Sequence, residues 1–232
     1  MTAIINYVIL IIKLSNVNIN ELKKGMIIMR SRYDKTHQDI LLSAKNNFLK
    51  KGFERSNLRE ICKGANVTTG AFYRHFKDKE AVFEELVAPV IEKLKKCYFE
   101  KEEKYYHSLD DINKNIWDVT DESIIDFVEM IYENYDVFKL LLMCADGTKY
   151  ENFIHDVANM ETNHSIEFMN KLKEKGYKIK NISKKEIHML VEAYFSSIFE
   201  VIIHDYNKSE ALKCIKTVTN FNKAGWGDIF GM

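Results

Sequence analysis

Tyr73, Arg74, His75 and Lys79 lie within one short stretch. Together they offer a phenol, a guanidinium, an imidazole and an ammonium group. All four can donate hydrogen bonds to phosphate oxygens, and the guanidinium can also read guanine. Thr68, Thr69, Gly70 and Ala71 come just before them, small residues at a place where bulk would hold a backbone away from base edges. Phe72 and Phe76 are four apart and are expected to point inward, which turns Tyr73, Arg74 and His75 to the opposite side. The chemistry these residues suit is non-covalent recognition of nucleic acid. Nowhere does the chain pair a nucleophile with its base or show a phosphate loop, so an enzyme is not expected.

Such residues need helices to hold them. Leu58, Ile61 and Cys62 recur at helical spacing, Ala65-Asn66 breaks the run, and Val67, Ala71 and Phe72 resume it. That is the pattern of two short helices around a turn. Ser56 precedes the first with Glu60 four residues on, so its hydroxyl is the expected cap. Asn66 is the non-glycine type that best tolerates the left-handed conformation the turn needs. Two helices so short need a third across their backs, and residues 33–51 supply it through Ile40, Leu41, Ala44 and Phe48. A helical bundle with a solvated basic face is the competing reading of these residues.

Over residues 33–86 the chain resembles the DNA-binding domain of the TetR/AcrR family of bacterial repressors. The resemblance rests on Phe48, Gly52 and Phe53; on Ser56 and Asn57; on Ile61 and Cys62; on Ala65 to Thr68; on Gly70 to Phe76; and on Lys79 with Glu80. Asn57, Cys62 and Asn66 depart from the family's Thr, Ala and Gly, each keeping size or turn-forming ability. The resemblance implies that Thr69, Gly70 and Ala71 face bases, and that Asn57, Tyr73, His75 and Lys79 contact phosphate. Together with Thr68 and Arg74 they make up the expected DNA-binding set.

Charge divides the chain the same way. The whole is neutral, yet residues 30–80 hold twelve Lys and Arg against six Asp and Glu, while residues 81–232 hold nineteen against twenty-seven. A basic head attracts a phosphate backbone and an acidic body does not. One Pro, nine Gly and 46% apolar residues, without sustained alternating strands, indicate an all-α chain with a sizeable core. The expected organisation is an extension at 1–29, a three-helix DNA-binding domain with a helix-turn-helix at 30–80, and a larger helical effector-binding and dimerisation domain at 81–232.

The run from Ile4 to Ile12 is apolar but far shorter than the ~20 residues a membrane helix needs. No basic leader or cleavage site accompanies it. Lys23-Lys24-Gly25 would be encoded by purine-rich codons ahead of Met29, so translation is expected to start at Met29 or Met26. Cysteines at 62, 97, 144 and 214 are too dispersed for a Cys-x-x-Cys motif and are expected to be free thiols in a reducing cytoplasm.

In the body, Val82, Phe83, Leu86, Val87, Val90, Ile91 and Leu94 carry a fourth helix straight out of the head, and Pro89 within it would bend it, as a hinge or as a static kink. Further helical patterns cover residues 122–134, 136–144 and 150–175, stopped by Gly147 and Gly176. Trp117, Phe127, Met130, Phe138 and Leu142, with Met143, Phe153, His155, Phe168 and Met169, could line a cavity for an apolar or aromatic effector, or simply fill a core. His155, His164, His188 and His204 show no mutual helical spacing for zinc, and the His188–Glu192 pair is of a kind common on exposed helix faces, so no metal and no cofactor are expected. Cys144 could sense oxidants, although a buried apolar role suits it better.

Ser183 opens the clearest amphipathic helix, and another pattern follows from Ala211 to Phe221. The resemblance places such a closing pair at a two-fold interface, here through Ile187, Leu190, Val191, Tyr194, Ile198, Ile202, Ile215 and Val218; covering the subunit's own core is the alternative. Together these features point to a cytoplasmic, homodimeric repressor without membrane attachment. A small molecule would release it from a near-palindromic double-stranded operator. Control by a protein partner or by thiol oxidation, without a ligand, is the second expectation.

Overall fold

The computed structural model describes residues 19–108 and 116–231; within them the side chains of 19–23, 25, 26, 101–108 and 116–124 are not described. Its helices are α1 (Ile19–Lys51), α2 (Leu58–Gly64), α3 (Thr69–Phe72), α4 (Lys79–Ser108), α5 (Ile116–Glu133), α6 (Tyr135–Met143), α7 (Phe153–Glu174), α8 (Lys184–Ile203) and α9 (Lys208–Phe230). No strand occurs among the described residues. The all-α expectation holds, with an N-terminal helix-turn-helix and a larger helical body.

Local chemistry sets most of the helix ends. Ser183 and Asn207 each accept a backbone N–H at the third helical position while Glu186 and Glu210 reach back, giving α8 and α9 full capping boxes. Gly147 and Gly176 take φ of +79° and +91°, conformations that stop a helix. The α5–α6 break falls at Asn134, whose side-chain amide donates to the Met130 carbonyl and pulls the chain out of register. Pro89 sits exposed inside α4, which runs on without interruption from Lys79 to Ser108. The lost amide is tolerated there because the helix is long and well packed on its other face through Val82, Phe83, Val87 and Val90. α1 begins before the residue 33 expected from periodicity and runs through Met26 and Met29, with Ile27, Ile28 and Met29 exposed. The apolar run from Ile4 to Ile12 and Met1 lie outside the described residues.

Charge separates head from body at residue 80, whereas packing crosses that line. One continuous core runs from Ile40, Phe48 and Phe72 through Phe83 into Ile131, Phe138 and Phe199. Phe53 N–H donates to the Cys144 carbonyl (2.9 Å), and Lys45 pairs with Asp136 (2.8 Å). A second, smaller core of Ala158, Met169, Leu172, Ile187, Val191 and Phe230 closes the far end.

Candidate nucleic-acid interface

Ser43 on α1 donates to the buried Ile61 carbonyl of α2 (2.8 Å), and a Cβ on Gly64 would come within 2.3 Å of that hydroxyl. α1 and α2 therefore cross too closely for a side chain at 64. The turn after α2 is a Schellman motif: Val67 N–H donates to the Cys62 carbonyl (2.9 Å) and Asn66 N–H to that of Lys63 (3.1 Å), with Asn66 at φ +54°. Asn66 adopts the left-handed conformation its residue type suggested.

The cap of α2 differs from expectation. Asn57, not Ser56, accepts the Arg59 N–H (2.8 Å), while the buried Ser56 hydroxyl donates to the Gly52 carbonyl (2.8 Å). Ser56 is one residue too early, and the left-handed Gly52 at the end of α1 presents its carbonyl to it. Thr68 caps α3 by accepting the Ala71 N–H (3.1 Å). Its oxygen thus starts α3, and Thr69 and Gly70 stand exposed at the tip of that helix. A Cβ on Gly70 would meet only the Thr68 hydroxyl, at 3.9 Å, so the protein's own packing does not demand glycine there. Phe72 and Phe76 are buried as expected, and Tyr73 and Arg74 face outward, Tyr73 at 58% exposure.

Two expected phosphate contacts are otherwise employed. Lys79 directs its ammonium into the α1–α2 loop, donating to the carbonyls of Phe53 (2.7 Å), Glu54 (3.1 Å) and Ser56 (3.2 Å). These three bonds use all its protons. Burial pushes its pKa below the usual lysine value, with Glu54 acting the other way. His75 is half-buried and stacks on Tyr33 at 4.1 Å between ring centroids; His37, beside it, stacks on Phe76 and bonds to Glu85 (2.6 Å). Burial, then the neighbouring His37, lowers the His75 pKa. Lys79 thus ties the start of α4 to the α1–α2 loop, and His75 holds the segment after α3 against Tyr33 of α1. Short-range spacing could not show this, because their partners lie at Phe53 and Tyr33.

The residues expected to line an effector cavity divide between the two cores and the surface. Phe127, Met130, Phe138, Leu142 and Phe153 belong to the main core, Phe168 and Met169 to the second, and Met143 is exposed. Trp117 lies outside the described side chains. His155 turns outward and meets Glu192 and His188 across α7 and α8, a meeting that sequence spacing missed. Cys144 is buried, which raises its pKa and keeps it a thiol, and all four cysteines are free.

The supposed interface residues are also redistributed. Ile187, Val191, Ile198, Ile202 and Ile215 are buried within this subunit, and Tyr194 bonds to Thr219 (3.2 Å). An amphipathic stripe is blind to which body it covers, and here the nearer one takes it. Leu190 and Val218 remain exposed or half-buried, as do Met189, Ala193, Ser197, Thr217 and Phe221, the last 81% exposed. No described helix is long and apolar enough to cross a membrane.

Comparison with known proteins agrees with this geometry. Residues 40–86 match the family described as bacterial regulatory proteins, tetR family. The HTH-type transcriptional repressor BepR of Brucella suis is 44% identical over 52 residues, covering 22% of this chain and 25% of that protein. The HTH-type transcriptional regulator AcrR of Shigella flexneri is 47% identical over 51 residues, 22% of this chain and 24% of its own. The chain thus spans about a quarter of the length of these curated relatives. Among solved structures, a TetR/AcrR-family regulator from Aquifex aeolicus superposes with a TM-score of 0.52 at 21% identity, over 80% of this chain and 99% of the other. NalD, a repressor of a multidrug efflux pump in Pseudomonas aeruginosa, gives 0.50 at 17%, over 82% and 96%. Residues 40–86 are therefore similar to the tetR-family regulatory proteins, and the chain carries the fold seen in the Aquifex aeolicus regulator and in NalD.

Proposed function

We propose that this protein is a homodimeric transcriptional repressor that binds a near-palindromic operator through two copies of its head. The observation that carries the reading is α3, a capped helix whose tip is small and exposed where its own packing has no need of glycine. Thr69, Gly70 and Ala71 approach base edges, while Tyr73, Arg74 and the amide nitrogen of Asn57 take phosphates. Thr68 caps the helix, His75 anchors the segment after it to Tyr33, and Lys79 secures the loop between α1 and α2. Heads in successive major grooves would stand about 34 to 36 Å apart, or a multiple of that.

The outer face of the α8–α9 pair suits the two-fold contact: Leu190 and Phe221 as apolar anchors, with Ala193 and Ser197 small enough for close approach. A small molecule bound in the helical body would shift the separation of the heads and weaken operator affinity by the coupling energy. A cytoplasmic location accords with this role and with four free cysteines.

Gel shifts on DNA flanking the gene, repeated across salt concentrations, test the proposal. Arg74→Ala should weaken binding and reduce the slope of log K against log salt by about one. Tyr73→Ala should weaken binding with the slope kept, since it removes no charge. Unchanged affinity in both variants would reject the assigned contacts.

A further inference from the structure

His188 and Glu192 lie one turn apart on α8, and α7 brings His155 against them. Glu192 Oε2 stands 3.0 Å from His188 Nε2 and 3.5 Å from His155 Nδ1, and ligand atoms of all three lie within 4.8 Å of one another. With metal bonds of about 2.0–2.1 Å, two ligands of a tetrahedral zinc ion are about 3.3 Å apart. Both measured separations bracket that value.

What lies behind the ring sharpens the case. The Thr162 hydroxyl, 1% exposed, donates its proton to the Ala158 carbonyl (2.6 Å) and stands 3.2 Å from His188 Nδ1. Having given its proton away, it can only accept there, so the His188 proton sits on Nδ1. Nε2 then faces the Glu192 carboxylate at 3.0 Å, a pairing that a cation completes, either a second ring proton in a plain ion pair or a metal ion. A metal-bound histidine whose other nitrogen donates to a fixed oxygen has this same organisation.

We propose that His155, His188 and Glu192 bind a divalent transition-metal ion of the zinc class. Two imidazoles and a carboxylate select such an ion over calcium or magnesium, which take oxygen ligands. His155 and Glu192 are substantially exposed, which leaves a fourth position for water or a small donor. The ion ties α7 to α8. This inference does not depend on the regulator reading, because metal binding is measured without DNA.

The test uses untagged full-length protein stripped with chelator and titrated with Co²⁺, then Zn²⁺. One Co²⁺ should bind per chain with the visible absorption of a four-coordinate nitrogen and oxygen site, and Zn²⁺ should displace it. His155→Ala and Glu192→Gln, at exposed positions, should keep the far-ultraviolet circular dichroism and weaken binding by more than tenfold. Thr162→Val, which keeps the shape but removes the oxygen behind His188, should weaken it about tenfold. No Co²⁺ bound, affinity unchanged in His155→Ala, or an intense sulfur-to-cobalt band would each overturn the proposal.

Discussion

The ammonium of Lys79 sits 4.2 Å from the centre of the Phe53 ring while donating to the Phe53 carbonyl at 2.7 Å. One side chain thus ties the start of α4 to the loop that sets the angle between α1 and α2. Lys79→Met, similar in reach but unable to donate, leaves the Glu54 and Ser56 carbonyls without their donor and the Phe53 carbonyl with the Ser56 N–H alone. It should lower stability by about 1.5–3 kcal/mol, read from the midpoint of urea unfolding. Operator affinity measured well below that midpoint should keep its salt slope. A lost unit of slope with stability unchanged would return Lys79 to the phosphate contacts.

Gly64 and Gly70 should respond oppositely to alanine. At 64 the new methyl meets Ser43 Oγ at 2.3 Å and displaces the bond to the Ile61 carbonyl, costing about 1–3 kcal/mol. At 70 it meets nothing closer than 3.9 Å and removes a poor helix former, so thermal stability should hold or rise by up to about 1 kcal/mol. Operator affinity, in contrast, should fall in Gly70→Ala. Equal affinity would show that the tip of α3 does not approach the bases.

His75 makes the head sensitive to acid. Its folded pKa is depressed by burial and by His37, so the unfolded chain binds its proton more readily and stability rises with pH. The contribution is complete above the ordinary histidine value of about 6.5 and is lost as pH falls below it. Thermal melts across that range should show a shallower decline in His75→Phe, which retains a ring against Tyr33. Parallel curves for the two proteins would exclude this role.

Two substitutions separate the outer face of the α8–α9 pair from its core. Phe221→Glu should leave melting unchanged and shift sedimentation from dimer to monomer, because Phe221 touches solvent over most of its surface. Ile198→Ala, 1% exposed, should instead cost about 2–5 kcal/mol of stability. A Phe221→Glu variant that still sediments as a dimer would move the interface elsewhere.

Much of this molecule was legible from its sequence because the governing interactions are local. The Asn66 turn, the helix start at Ser183, the inward pair Phe72 and Phe76, and most helix spans follow from groups within a few residues of one another. The basic head is likewise a property of composition. Tertiary structure alone decided what each group does with its surroundings. Lys79 meets carbonyls 23 to 26 residues away, His75 meets Tyr33, and His155 meets Glu192 from another helix. Ile198 and Phe221 are both apolar residues on amphipathic helices, yet one is buried and the other bare. Periodicity defines a face, but the body that covers it, and the donors consumed in covering it, depend on contacts between segments whose separation along the chain carries no signal.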